Sequence, residues 1–196
     1  MVPVSVREIV GLAVAALLTV VALAGGPDRL LAYTEGDGGC SGANQLPAPE
    51  TLEQARTATL CLLNRERAAQ AFPALVADAR LTLAAQLHSD DMGKRRFYAH
   101  GNPDGAGPSA RVYAQQLPPY GTTVAENIHW ATGHRATPLR IMRDWMQSPG
   151  HRKNILRREV THVGIGIGFV APEPAHKGRA RVYTTDFFGG DDAAGP

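Results

Sequence analysis

The sequence predicts an α+β fold in which helices pack against a small antiparallel sheet. Three observations support this prediction. Helical amphipathic patterns dominate the first half, strand-like patterns close the chain, and no β-α-β alternation connects them. Hydrophobic residues make up 44% of the 196 residues, which is enough for a packed core and argues against a wholly disordered chain.

The first 24 residues predict a secretory signal peptide. Arg7 precedes an apolar run over residues 9–24, which ends in small residues, and cleavage is expected after Ala24. The run is shorter than the roughly 20 apolar residues of a membrane-spanning helix. Because Glu8 weakens the charged segment before it, an uncleaved anchor is the alternative. We therefore expect a secreted or cell-envelope protein that contacts a membrane only if this segment is retained.

Residues 25–50 are rich in Gly, Pro, Asp and Ala and predict a flexible arm. Cys40 in this arm and Cys61 are the two cysteines of the chain. In an exported protein an even cysteine count favours a disulfide, and two free thiols are the alternative. A bridge that closes a loop of about 20 residues would stabilise the fold by on the order of 3 kcal/mol.

Helical periodicity predicts a first helix over residues 51–71, ended near Pro73. A second helix is expected over 79–96, with Asp78 as its N-cap. A turn-rich stretch follows, in which residues 109–116 predict a short helical turn.

The second half of the chain predicts a strand, a helix and a final hairpin. Pro138 suits the first turn of this helix, and Ser148-Pro149-Gly150 is expected to end it. Alternating glycines at 164, 166 and 168 suit a strand with one crowded face, and the spacing of a dinucleotide-binding loop is missing. The predicted elements are a strand over 124–131, a helix over 137–146, a helical turn over 154–158, and strands over 163–170 and 181–188.

The charge balance argues against nucleic-acid binding. The formal net charge is +2, from 20 basic and 18 acidic residues, without the concentrated basic surface that such proteins show. The densest basic stretch, over residues 151–158, is interpreted as a solvated helix face.

Four short motifs occur in a fixed order along the chain. They are Phe97-Tyr98-Ala99-His100, Ala125-Glu126-Asn127-Ile128, the stretch from Trp145 to Arg152 containing Ser-Pro-Gly-His-Arg, and Asn154-Ile155-Leu156. Together they resemble the bacterial branch of the CAP superfamily, the SCP domain of cysteine-rich secretory, antigen 5 and pathogenesis-related proteins. The resemblance implies a domain over 51–190, followed by a tail at 191–196. It also implies an α-β-α sandwich with a three-stranded antiparallel sheet, in a secreted protein.

The resemblance also implies a cleft with two histidines and acidic partners. His100 and His151 match the two histidines, and Glu126 matches the glutamate of the Gly-Glu-Asn motif, in which Ala125 replaces the glycine. A second acidic residue found in many relatives has no clear match, because Asp144 is expected to face elsewhere.

Two further side chains near these motifs are expected to be structural. His88 lies on the apolar face of the second helix and predicts a hydrogen-bonded core histidine. Arg111 is expected to brace the loop region that follows that helix.

Imidazoles are good ligands for zinc and related divalent cations, and a carboxylate can be a third ligand or can support a histidine. The candidate metal ligands are therefore His100, His151 and Glu126. The leading hypothesis is a binding module whose cleft holds a divalent cation, an amphipathic small molecule such as a lipid, or a cell-wall fragment. The alternative is a metal-dependent hydrolase or protease, in which the same three residues are catalytic and Glu126 activates water. A third hypothesis is a structural or signalling protein with a vestigial cleft.

Overall fold

The computed structural model describes residues 39–117, 122–170 and 180–190. The predicted signal peptide and tail lie outside these residues. Within the described ranges, none of the helices has the length and apolar character needed to cross a membrane. The helices are α1 (Leu52–Ala68), α2 (Ala79–Arg95), α3 (Pro108–Tyr113), α4 (Pro138–Gln147) and α5 (Pro149–Ile155), and the strands are β1 (Val76–Ala77), β2 (Thr122–Thr132), β3 (His162–Val170) and β4 (Ala180–Gly190).

The α+β prediction is confirmed, and the sheet has one strand more than the sequence suggested. The strand order is β1-β3-β4-β2. The hairpin of β3 and β4 is antiparallel as predicted, and β2 pairs antiparallel with the other side of β4. The additional strand β1 pairs parallel with β3 through two exposed residues, Val76 and Ala77. A strand of two exposed residues is too short to produce a periodic pattern, so the sequence does not predict it. With β1 included, the sheet is a mixed sheet of four strands, where a three-stranded antiparallel sheet was expected.

Helices cover both faces of the sheet. On one face, α1 and α4 enclose the larger core, which includes Trp145, Tyr183 and Phe187. On the other face, α2 lies against β3 and β4 through residues such as Leu81 and Met92. The result is the expected sandwich, and β2 forms one edge of its sheet.

The predicted crowded face of β3 is the face that α2 covers. A Cβ atom at Gly164 would lie 2.0 Å from the backbone carbonyl carbon of Leu81, and one at Gly166 would lie 2.3 Å from that of Ala85. These glycines therefore let the backbone of α2 approach the strand directly, closer than any side chain permits.

The N-cap prediction for α2 is confirmed. The Asp78 side chain accepts hydrogen bonds from the backbone N–H groups of Arg80 and Leu81. The helix ends where Arg96 adopts a left-handed conformation with φ of 57°. The loop that carries His100 therefore begins at the carboxyl end of α2.

The predicted helical turn over 154–158 is wrong in its position. After α4 ends, the chain enters α5 at once, with Pro149 at the first helical position, and α5 ends at Ile155. A proline is tolerated in a first turn because the N–H group it lacks would have no partner there. Ser-Pro-Gly therefore ends one helix and begins the next, which puts His151 in a helix rather than before one.

The predicted disulfide between Cys40 and Cys61 is confirmed. It links the segment before α1 to α1 itself. The described part of the 25–50 segment packs on the domain, since Cys40 and Ala43 are buried. The carbonyl of Ala43 accepts a hydrogen bond from the Leu139 N–H, 2.9 Å away.

Candidate functional site at the edge of the sheet

The candidate site is organised around Glu126, near the centre of the edge strand β2. Residues of even number in this strand face α2, so Val124, Glu126 and Ile128 point toward that helix. The Glu126 side chain is 1% exposed. A carboxylate in such a position requires charged or hydrogen-bonding partners, because removing it from water is costly.

His100 is the first partner of Glu126. Its Nδ1 lies 2.6 Å from Glu126 Oε1, and its side chain is 52% exposed. The hydrogen bond to Glu126 raises the pKa of His100 above its ordinary value, against the opposing effect of burial. With Nδ1 donating to the carboxylate, the Nε2 atom of the ring is left for another partner.

Arg111, from α3, is the second partner of Glu126. Its Nη2 lies 2.5 Å from Glu126 Oε2, and its Nη1 donates a hydrogen bond to the carbonyl of Ala106, 2.7 Å away. The side chain is 10% exposed. Arg111 thus braces the loop, as predicted, and also supplies the positive charge that Glu126 needs inside the fold.

His88, from α2, lies beneath this pair as a core histidine, as expected. Its Nε2 donates to the carbonyl of Ala99, 3.0 Å away, and lies 4.0 Å from Glu126 Oε1. Burial lowers the pKa of His88 below its ordinary value, even though the charge of Glu126 acts in the opposite direction. The ring is therefore neutral at pH 7 and fixes the start of the loop that leads to His100.

Asp186 is a further carboxyl group that the sequence reasoning missed. It lies on β4 directly opposite Glu126, with Gly164 of β3 on its other side. The residue is fully buried, and neither of its carboxyl oxygens accepts a hydrogen bond within the described residues. Burial, and next the negative charge of Glu126, raise the pKa of Asp186 well above its ordinary value. Burial at this position thus favours the neutral carboxylic acid form of Asp186 over the carboxylate.

A sequence signal for Asp186 existed. It interrupts a strand of apolar and β-branched residues, where a carboxyl group needs a partner. Asp186 falls within the predicted strand over 181–188 but outside the four motifs that pointed to the site.

His151 lies in the first half of α5, a helix that contacts the edge strand β2. Its pKa is lowered, first by burial and then by the positive charges of His100 and His129. The three imidazoles are therefore close enough for the charge of one to oppose the charge of another. The structure brings His100 into contact with Glu126 and places His151 within electrostatic range of His100.

Two asparagines hold α5 against β2. Asn127 Nδ2 donates to the carbonyl of His151 over 3.2 Å, and Asn154 Nδ2 donates to the carbonyl of Glu126 over 3.1 Å. A further hydrogen bond of 3.0 Å joins Asn154 Nδ2 to Asn127 Oδ1. These bonds fix the position of His151 relative to the strand that carries Glu126.

His129 and Asp144 form a second histidine–carboxylate pair that the sequence did not predict. His129 Nε2 lies 3.0 Å from Asp144 Oδ2, where the Asp144 side chain is 46% exposed. Asp144 was expected to face elsewhere. It faces the odd-numbered side of β2, where His129 contributes to the electrostatic environment of His151.

These residues fit a metal ion only in part. Within the described ranges, no three His, Cys, Asp or Glu side chains are placed to hold one ion together. Glu126 has one oxygen at His100 and the other at Arg111, so it supports a histidine and is not free to act as a ligand. Of the three predicted ligands, Glu126 instead lies behind His100 and holds its Nδ1 atom.

Residues 60–180 match the model of the cysteine-rich secretory protein family, CAP. The uncharacterized protein YkwD of Bacillus subtilis strain 168 is 33% identical over 122 residues, which are 61% of this chain and 44% of that protein. The chain thus spans less than half the length of this curated relative.

Solved structures show the same fold. An extracellular SCP-domain protein from Bacillus anthracis strain Ames matches with a TM-score of 0.56 and 25% identity, over 72% of this chain and 43% of that one. An outer surface protein from Borrelia burgdorferi matches with a TM-score of 0.54 and 15% identity, over 71% of this chain and 95% of that one. The matched family model covers most of the domain, and the chain belongs to the CAP family of cysteine-rich secretory proteins.

Proposed function

We propose that this CAP protein is an extracellular binding module in which His100 and His151 hold a divalent cation. The cation in turn would bind a ligand rich in oxygen atoms, such as a cell-envelope fragment or the polar end of an amphipathic molecule. The descriptions of the similar solved proteins as extracellular or outer-surface proteins support the location.

The single observation that carries the proposal is the contact of His100 with Glu126. The carboxylate engages Nδ1, so the ring is oriented and Nε2 points away from the buried side of the pair. Metal-binding histidines commonly have their second nitrogen held by a carboxylate in this way, which orients the ring and raises its basicity. Because the His100 side chain is half exposed, a ligand can reach it from solvent.

The protonation state of His151 supports the same role. Its lowered pKa keeps the imidazole neutral at pH 7, and only a neutral imidazole has a lone pair to donate. A bound cation would supply Lewis acidity and positive charge at this edge of the sheet. His100 and His151 would bind, Glu126 would orient His100, and Arg111 would balance the charge of Glu126.

The engagement of Glu126 favours binding over hydrolysis. A general base must be able to accept a proton from water, but one Glu126 oxygen faces His100 and the other faces Arg111. A hydrolase would therefore need another residue for the role that the sequence assigned to Glu126.

Thermal unfolding with added zinc tests the proposal. Zinc that binds the folded protein must stabilise it, by about 2.7 kcal/mol at one hundred times the dissociation constant. We expect this stabilisation in the wild type and in His134→Ala, a control at an exposed histidine, and we expect its loss in the His100→Ala/His151→Ala double variant. Equal stabilisation of all three proteins would overturn the cation site.

Two additional measurements separate binding from the alternatives. Glu126→Gln is expected to weaken zinc binding by about 10–100-fold, because it alters the group that orients His100. Zinc-loaded protein is also tested against peptide and ester libraries. Turnover by the wild type that disappears in His100→Ala would show that the protein is a hydrolase and would overturn the binding-module proposal.

A further inference from the structure

A basic depression lies at the carboxyl end of α5, the helix that carries His151 near its start. Its volume is about 460 Å³, and it is lined by Lys153, Leu156, Arg157, Arg158 and Glu159. The sequence alone predicts a solvated helix face for the basic stretch over residues 151–158. The structure instead arranges them around one concave surface, with Arg157 and Arg158 beyond the end of the helix.

The charges of this basic depression are not balanced locally. Glu159 pairs with Arg157, whose Nη1 lies 3.5 Å from Glu159 Oε1. Among the residues that the structure describes, no carboxylate lies within ion-pair distance of Lys153 or Arg158. In addition, the Nε–H donor of Arg157 is buried and has no hydrogen-bond partner there. The depression therefore offers two exposed cations, Lys153 and Arg158, that no carboxylate of the described residues balances.

The backbone beneath the depression is fixed from inside the fold. Arg67 of α1 is fully buried, and its Nη1 donates to the carbonyls of Ile155, 2.9 Å away, and Arg157, 2.8 Å away. Its Nη2 donates to the carbonyl of Val160, 3.2 Å away. This clamp holds the segment on either side of Arg158, so little backbone entropy is lost when a ligand binds.

Arg158 is also restrained by an aromatic ring. Its guanidinium carbon lies 5.4 Å from the centroid of the Phe72 ring, which is a cation–π distance. Stacking limits the rotamers of Arg158 while leaving its N–H groups available. The charged end is thus positioned before any anion arrives.

We propose that the basic depression binds the phosphate groups of an anionic polymer at the cell surface. Phosphate suits the site because guanidinium groups bind it through paired hydrogen bonds and lysine binds it as a point charge. A polymer suits it better than a single ion, because two exposed cations bind one phosphate weakly and repeated phosphates raise the effective concentration. A single-stranded nucleic acid is disfavoured, because no aromatic residue lines the described depression and the nearby Phe72 ring is covered by Arg158.

Binding of long-chain polyphosphate to the full chain tests this proposal, measured by isothermal titration calorimetry in 50 mM and 300 mM NaCl. We expect Lys153→Glu/Arg158→Glu to weaken binding at the lower salt concentration by at least about tenfold. Lys94→Glu/Arg140→Glu is the matched control, since it changes the net charge equally at exposed positions outside the depression. The control should bind within about threefold of the wild type, because distant surface charges are largely screened.

Each remaining outcome counts against the proposal. Equal losses in the two charge-reversed variants would show that polyphosphate responds only to net charge. Tighter binding of single-stranded DNA than of polyphosphate through the same residues would assign the depression to a nucleic acid. Lys153→Gln/Arg158→Gln repeats the test if the reversed variant fails to fold, and wild-type affinity in it would overturn the site. All titrations contain EDTA, so the result is independent of the cation proposed at His100 and His151.

Discussion

His100 Nδ1 lies 2.6 Å from Glu126 Oε1, and this contact joins a half-exposed imidazole to a carboxylate that is almost completely buried. The pair connects the solvent edge of the molecule with its interior. Because the carboxylate is fixed by Arg111 and by the strand, the imidazole takes its orientation from the fold.

Glu126→Gln should lower the pKa of His100, since the hydrogen bond to the carboxylate is the main cause of its elevation. In the wild type the folded pKa lies above the unfolded one. The stabilisation from this pairing is therefore complete below the unfolded pKa and is lost as the pH rises through the folded pKa. NMR titration of the imidazole signals measures the shift, with His134 as the internal control. An unchanged His100 titration in the variant would contradict the assignment.

Arg111→Met should destabilise the protein by about 3–5 kcal/mol, because it leaves the buried Glu126 without its cation. Urea unfolding at pH 7 measures the change. Arg140→Met, at an exposed position, removes the same charge and should change stability by less than about 0.5 kcal/mol. Similar small effects in both variants would mean that Glu126 does not depend on Arg111.

Asp186→Asn should change how stability depends on pH. The pKa of Asp186 is raised in the fold, so the wild type loses stability as the pH rises from the ordinary aspartate range toward the folded pKa. The asparagine variant lacks this loss and should gain stability relative to the wild type as the pH rises above the ordinary aspartate range, by about 1.4 kcal/mol per pKa unit of the shift. Unfolding midpoints across this range measure the difference. Glu50→Gln, at an exposed site, should follow the wild-type curve, and a parallel curve for Asp186→Asn would refute the raised pKa of Asp186.

Replacing both members of the Cys40–Cys61 disulfide with serine should lower the free energy of unfolding by about 3 kcal/mol, the entropy of a loop of this length. Denaturant unfolding without reductant compares the double variant with the wild type. Adding dithiothreitol should destabilise the wild type alone. A variant as stable as the oxidised wild type would show that the disulfide adds no stability beyond that of the packing of Cys40 and Ala43.

Gly164→Ala should destabilise the domain by about 3 kcal/mol or more, because its Cβ would lie 2.0 Å from the Leu81 carbonyl carbon. Helix α2 would have to move away from the sheet, taking His88 with it. Gly150→Ala is the control, since no described atom lies within 4 Å of the added Cβ apart from its chain neighbours and the adjacent backbone of its own helix. Equal melting temperatures for the two variants would disprove the close approach of α2 to β3.

Local patterns predicted much of the architecture because helices and strands depend mainly on neighbouring residues. The spacing of Leu81, Ala84 and Met92 predicted the buried face of α2, and Asp78 predicted its start. The helix α5 was misplaced, because Pro149 signals both the end of one helix and the first turn of another. The strand β1 was missed, since two exposed residues acquire strand structure only by pairing with β3.

The sequence by itself determined the family, the α+β class and the identities of His100, Glu126 and His151 as residues of interest. Only the tertiary structure decided that Glu126 lies opposite Asp186 and that His129 contacts Asp144. The physical reason is register. Which side chains meet across strands depends on how β2 and β4 align and on how α4 and α5 pack against them. Those contacts join positions far apart in the chain, and no local periodicity specifies them.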